Sequence, residues 1–178
     1  MPRPLPRVPP ADPGARRARA GGCTGSHRTG RIAPGDAPVS IALRFAACPD
    51  RIRAALRQVR RHLAARGLSD DRLGTVELAL AEALNNIAEH AYAGQGAGPV
   101  SLVARGDGDG LLRVVLRDRG RALPGNRLPD GTLPTLDTAP HALPEGGFGW
   151  FLIRDLADRV DYTRVGGTNR LILHFATP

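Results

Sequence analysis

The chain contains no lysine: all 25 of its basic residues are arginine, set against 17 acidic residues in a length of 178. This absence excludes chemistry that needs an amine or an ammonium group, including a P-loop lysine, a pyridoxal Schiff base and the lysine of eukaryotic-type protein kinases. Aromatic residues are also scarce, with four Phe, two Tyr and one Trp. A core must therefore be built mainly from Leu, Val, Ile and Ala.

Cysteines and long apolar runs are equally sparse. The two cysteines, Cys23 and Cys48, are too few and too far apart for a disulfide framework or a zinc site. No apolar run approaches the ~20 residues that a membrane-spanning helix needs. We expect a reducing, cytoplasmic setting and no membrane association.

Proline marks two irregular segments. Residues 1–38 contain eight of the 16 prolines, together with seven Arg and two Asp, and five more prolines fall within 124–144. Because Pro and Gly interrupt every apolar pattern in 1–38, we predict a disordered, solvated tail there. The alternative for such an arginine-rich tail is an arm that binds nucleic acid.

Residues 39–178 have the periodicity of a single folded domain. Alternating apolar residues predict strands, and apolar residues at three- and four-residue spacing predict helices. The predicted order is a strand from Val39, helices over 49–67 and 69–92, strands over 99–105 and 111–118, a helix over 147–158, and strands over 159–165 and 169–175. This order predicts an α+β fold, a two-layer sandwich with a mainly antiparallel mixed sheet and helices on one face.

The second predicted helix carries the first chemical signal. Glu82, Asn86 and His90 are spaced i, i+4 and i+8, on the side opposite an apolar stripe that begins at Leu73. An amide oxygen can serve as one ligand of Mg²⁺, which keeps waters and phosphates as its other ligands. A carboxylate one turn away can accept a proton from an attacking hydroxyl. Taken alone, the same pattern is also typical of an ordinary helix surface.

Three further features follow along the chain. Asp118-Arg119-Gly120 ends a predicted strand and could be a simple turn. The glycine-rich segment 145–149 leads directly into an apolar helix, where backbone N–H groups could approach a phosphate, although such glycines also occur in ordinary loops. Residues 166–169 join the last two strands as a short turn.

Taken together and in this order, the four elements resemble the Bergerat-type (GHKL) ATP-binding fold of gyrase-like ATPases and histidine kinases. They are most similar to the bacterial anti-sigma-factor serine kinases. The resemblance covers about 39–177. The residues that match the family's sequence motifs are Glu82, Asn86, His90, Asp118, Gly120, Gly147, Gly149, Gly167 and Thr168.

The resemblance implies a role for each polar residue of the first two motifs. Asn86 would ligand Mg²⁺, Glu82 would act as general base, and Asp118 would accept a hydrogen bond from the adenine amino group. His90 would belong to the same ATP site.

The remaining matches would surround the nucleotide. Gly120 would let the backbone approach the base, Gly147 and Gly149 would frame the phosphates, and Thr168 would reach toward the adenine. The segment 121–146 would be the ATP lid.

The implied function is an ATP-dependent serine/threonine kinase that binds a sigma factor and phosphorylates a STAS-type anti-anti-sigma protein. A homodimer is possible, and no direct contact with nucleic acid is expected. The alternative is an ATP-binding module that holds a regulatory partner without turnover. A histidine-kinase fragment is a third interpretation, but its only candidate phosphorylation site would be His62, inside the first helix.

Overall fold

The structure is a computed structural model that describes residues 40–106, 110–129 and 148–176. Its regular elements are β1 (Ser40–Ala46), α1 (Pro49–Ala64), α2 (Asp70–Asn86), β2 (Pro99–Gly106), β3 (Leu111–Asp118), α3 (Phe148–Leu156), β4 (Arg159–Val165) and β5 (Thr168–Ala176). The predicted tail, Gly147 and most of the predicted lid lie outside the described residues.

The five strands form one sheet in the order β1-β2-β3-β5-β4. Two helices separate β1 from β2, so the chain returns to its starting end and β2 runs antiparallel to β1. The crossover through α3 makes β4 parallel to β3, but β5 lies between them and pairs antiparallel with both. The predicted α+β sandwich is confirmed, and the expected mixed sheet is antiparallel at every described pairing.

The core lies between one face of the sheet and the three helices. The predicted stripe of α2 is buried at Leu73, Val76, Leu80 and Leu84. Ala79, which lies outside this stripe, is also fully buried, and both α1 and α3 pack against α2. None of the described helices has the length and apolar content needed to cross a bilayer.

The end of α2 differs from the prediction. A continuous helix to about Tyr92 was expected, but the α-helix ends at Asn86 and a π-turn follows over Ile87–Ala91. The backbone N–H of Tyr92 closes this turn by donating to the Ile87 carbonyl, five residues earlier, at 3.1 Å. Single π-turns of this kind often occur at functional sites.

Tyr92 fixes the ends of β2 and β3. Its side chain is buried, and its hydroxyl donates to the Pro99 carbonyl at 2.8 Å and accepts from the Arg119 N–H at 3.0 Å. The ring passes so close to Gly98 that a Cβ there would lie 2.0 Å from a ring carbon. Burial raises the pKa of Tyr92, which keeps its hydroxyl protonated and able to donate.

We expect Tyr92→Phe to lower the free energy of unfolding by about 1–3 kcal/mol, because the Pro99 carbonyl and the Arg119 N–H both lose their partner. Urea denaturation followed by circular dichroism measures this change. A loss below about 0.5 kcal/mol, the size of an ordinary surface substitution, would contradict the role given to the hydroxyl.

Candidate functional site

A cavity of about 90 Å³ lies between the end of α2, the start of α3 and the adjoining ends of β3 and β5. Three residues singled out in the sequence, Asn86, His90 and Asp118, line it together with Trp150 and Asn169. Ligand pockets usually measure ~300–1,000 Å³. The described walls could therefore hold only part of a nucleotide-sized ligand.

Glu82 and Asn86 meet the first turn of α3 at Gly149. A Cβ on Gly149 would lie 3.0 Å from Glu82 Oε2 and 3.5 Å from both terminal atoms of the Asn86 amide. A Cβ on Gly149 would therefore crowd the Glu82 carboxylate, and glycine lets this carboxylate lie directly against the first turn of α3. The structure thus brings three of the predicted site residues together, while Gly147 lies outside the described part of the chain.

The Asn86 amide has an unsatisfied atom. Its Nδ2 is buried and has no hydrogen-bond partner, although buried polar atoms are nearly always paired. Rotation of the amide would place Oδ1 at the same point, since the two orientations are distinguished only by their partners. An amide oxygen at this point suits a hard cation such as Mg²⁺.

A metal held here would need most of its ligands from elsewhere. Within the described ranges, no group of three or more His, Cys, Asp or Glu side chains is arranged to hold a metal ion. Mg²⁺ often binds through one or two protein oxygens and completes its octahedron with waters and phosphate oxygens. One amide at a cavity large enough for part of a nucleotide fits that kind of site.

Asp118 is a buried carboxylate with one oxygen to spare. Asp118 is the last residue of β3 and is 6% exposed. Oδ1 accepts from the Gly120 N–H at 2.8 Å and from Asn169 Nδ2 at 2.7 Å. Oδ2 makes no hydrogen bond to any described residue, so it can accept one from a ligand in the cavity.

Asn169 is the residue that holds Asp118 in place. Its Oδ1 accepts from the Tyr162 hydroxyl at 2.8 Å and from the Arg164 guanidinium. Its Nδ2 also donates to the Arg121 carbonyl at 2.9 Å. Donors surround its Oδ1 and acceptors surround its Nδ2. The amide therefore has a single favourable orientation, because a flip would break these hydrogen bonds.

No motif in the sequence predicts a site role for Asn169, Tyr162 or Arg164. One signal was available for Asn169, because it alternates with Leu171 and Leu173 and so lies on the apolar side of β5. A polar residue on the buried face of a strand needs a partner.

Opposing effects act on the Asp118 carboxyl. Burial raises its pKa, and the hydrogen bonds from Asn169 and the Gly120 N–H, with the nearby Arg164 charge, oppose that rise. The net pKa is above the usual value for Asp. The ionised Asp118 side chain therefore destabilises the folded state relative to a neutral side chain at the same position.

Thr168 and Gly120 are not among the residues that line the cavity, and neither are Glu82 and Gly149, which lie beside Asn86. Thr168 lies on the opposite face of the sheet, where it lines an open recess of about 640 Å³ that also includes Arg44 and Arg117. Gly120 contacts the π-turn, since a Cβ there would lie 2.5 Å from the Ala91 carbonyl oxygen. His90 is exposed, although it lines the cavity.

Two solved structures are similar to this chain. The RsbU and RsbW domains of Rv1364c from Mycobacterium tuberculosis match with a TM-score of 0.54 and 20% identity, covering 76% of this chain and 32% of that one. The chain thus spans about a third of the length of that structure. The histidine kinase domain of the blue-light activated histidine kinase EL346 from Erythrobacter litoralis matches with a TM-score of 0.48 and 20% identity, covering 72% of this chain and 58% of that one.

The sequence itself gives a family match. No curated protein is similar enough to be matched to the chain. Residues 45–175, however, match the family described as the histidine kinase-like ATPase domain. Because the match covers well over half of the chain and the fold agrees, the protein belongs to the histidine kinase-like ATPase domain family of the GHKL superfamily.

Proposed function

We propose that the protein is an ATP-dependent serine/threonine kinase that acts as an anti-sigma factor: it binds a sigma factor and phosphorylates a STAS-type anti-anti-sigma protein. The observation that carries the kinase activity is the convergence of Glu82 and Asn86 on Gly149, with an unsatisfied amide atom on Asn86. The motif resemblance supports the choice of serine as acceptor and of the two partners. Cytoplasmic location and a possible homodimer are parts of the same proposal.

Asn86 would hold Mg²⁺ through its amide oxygen. When bound, the ion would neutralise charge on the β- and γ-phosphates of ATP, which in other kinases is partly the task of a lysine. The first turn of α3 would add backbone N–H groups, because a helix N-terminus favours anions and Gly149 has no side chain in the way.

Glu82 would be the general base. It lies one helical turn before Asn86 and beside Gly149, close to where the γ-phosphate would lie. Its carboxylate would take the proton of the serine hydroxyl as the serine oxygen bonds to the γ-phosphorus and ADP leaves. Positioning of serine, base and phosphate supplies most of the rate in such reactions.

Asp118 would recognise the adenine through Oδ2. The adenine amino group is a donor, and Oδ2 is the carboxylate oxygen without a protein partner. Tyr162 and Arg164 would act only by holding Asn169, which in turn holds Asp118.

An ATP-binding module without turnover would use the same contacts of Asn86, Asp118 and the glycine-rich segment before α3. The two functions differ in product: the kinase yields phosphoserine on the STAS protein, and the module yields only nucleotide-dependent partner binding.

We expect Glu82→Gln to slow phosphoryl transfer to a purified STAS-type protein by about 10²–10⁴-fold, because the amide cannot accept the serine proton. Transfer of radiolabel from ATP measures the rate. Glu77→Gln is the matched control: Glu77 lies on the same helix but pairs with Arg60, away from the cavity. Equal rates for Glu82→Gln and the unmodified protein would reject Glu82 as the base.

We expect Asn86→Ala to remove the Mg²⁺-dependent part of the stabilisation by ATP. Saturating ligand at ~100 times its Kd adds about 2.7 kcal/mol, which a thermal melt detects. The ligand-free protein should lose little stability, since the buried Nδ2 has no partner to lose. Asn85→Ala, at the exposed neighbouring position, should keep the full Mg²⁺ effect. Loss of the effect in both variants would contradict a specific role for Asn86.

We expect Asp118→Asn to abolish the binding of ATP without lowering the stability of the ligand-free protein. The amide can keep the bonds to Gly120 and Asn169, but its NH₂ group cannot accept from adenine, so the ATP-induced rise in Tm should disappear. Because the folded-state pKa of Asp118 is raised, its stability contribution is lost as pH rises through that pKa. At pH 7 the ligand-free variant should therefore melt at or above the unmodified protein.

The advantage of Asp118→Asn should vanish as pH falls through the raised pKa of Asp118, where the unmodified carboxyl is also neutral. A variant that is destabilised at pH 7 yet retains the ATP-induced shift would overturn both the electrostatic account and the adenine assignment.

A further inference from the structure

The sheet has a second face, pointing away from the helices, which no described element covers; we call it the outer face. An apolar stripe crosses its centre. The pairing register aligns the four residues of the stripe on adjacent strands, namely Ala42, Val103, Val115 and Ile172. The two valines are partly exposed, whereas Ile172 is buried.

Arginines flank the stripe on both sides. The register places Arg44, Arg117 and Arg170 in one row, two residues along each strand from the stripe. Arg105 and Arg113 form the other row, at the same distance on the opposite side. Four of the five are exposed and Arg170 is partly buried.

The charges of four of these five arginines have no acidic partner within the described part of the chain. These four are Arg44, Arg117, Arg170 and Arg105. The one acidic residue that the described strands direct outward is Asp161, on the edge strand β4. Asp161 is already bound by Arg159 and His174.

The spacing of these features matches a helix. Strands lie ~4.8 Å apart, so the stripe runs for roughly 14 Å across four strands. Each arginine row lies two residues from the stripe, roughly 7 Å, so the rows are about 14 Å apart. An α-helix with its side chains measures ~10–12 Å across, which fits between the rows when it lies across the strands.

We propose that the outer face docks an amphipathic helix of a partner protein whose apolar stripe is bordered on both sides by Asp and Glu. The apolar side chains would cover Val103 and Val115, one acidic border would pair with the row that begins at Arg44, and the other would pair with Arg105. The surface lies on the opposite side of the sheet from the cavity, so docking needs no contact with the nucleotide site.

Other occupants fit the face less well. A second copy would place arginine rows against arginine rows, and the chain's own segment 1–38 has the same sign of charge, with seven Arg and two Asp. Nucleic acid could pair with the arginines, but it would leave the apolar stripe uncovered. No Phe, Tyr or Trp side chain points outward from the described strands to stack on a base.

The test measures binding of the full-length protein to a synthetic helical peptide of about 18 residues, long enough to be helical. The peptide carries a leucine stripe bordered by glutamates and a fluorophore for anisotropy. We expect binding that weakens with salt. Arg44→Ser with Arg117→Ser should raise Kd about 2- to 30-fold, the effect of two exposed ion pairs.

The matched control is Arg57→Ser with Arg66→Ser, two exposed arginines in and just after α1, which removes the same charge from the helix layer. It should leave Kd unchanged, as should Arg44→Lys with Arg117→Lys, which keeps both positive charges. Circular dichroism and Tm establish that both double variants fold. Val115→Ser should weaken binding without changing its salt dependence.

Three results would overturn the proposal. An equal loss of binding in both double variants would show attraction to net charge rather than to this face. Equal affinity for a single-stranded oligonucleotide, lost in the same variant, would identify a nucleic-acid surface. Sedimentation showing a dimer that only Arg44→Ser with Arg117→Ser dissociates would identify a self-interface.

Discussion

The hydrogen bond between Asn169 and Asp118 determines the arrangement of the candidate site. A carboxylate that is 6% exposed at the end of β3 needs donors, and the neighbouring strand supplies one at 2.7 Å. The same amide reaches the Arg121 carbonyl, and Tyr162 and Arg164 hold it from β4. One polar side chain thus joins three strands and the segment after β3, and leaves a single carboxylate oxygen facing the cavity.

Two close backbone approaches position the other walls. Gly149 lets α3 reach Glu82 and Asn86, and Gly120 lets the segment after β3 reach the Ala91 carbonyl in the π-turn. In both places a methyl group would meet atoms of another element at 3.0 Å or less. The glycines at these two motif positions therefore leave room for close packing between neighbouring elements of the fold.

The features of the fold that could be predicted from the sequence are those that depend on local apolar periodicity. Alternation predicted the strands, and the apolar stripe of α2 predicted its core face. The π-turn was not predictable in this way, because Tyr92 is fixed by partners far along the chain. The choice between Thr168 and Asn169 depends on the pairing of β5 with β3, since adjacent residues of a strand point to opposite faces. The family motif located the turn, and the strand register determined which residue enters the cavity.

Neighbouring residues of β3 and β5 point to opposite faces of one sheet. An insertion or deletion within these strands would therefore change the side chains on both faces. Loss of a single residue inside β3 would turn Asp118 toward solvent and an arginine toward the core. Such a change would disable both faces at once, whereas point substitutions can alter either face alone. Length variation among relatives should therefore be confined to the turns, while sequence on the two faces is free to diverge separately.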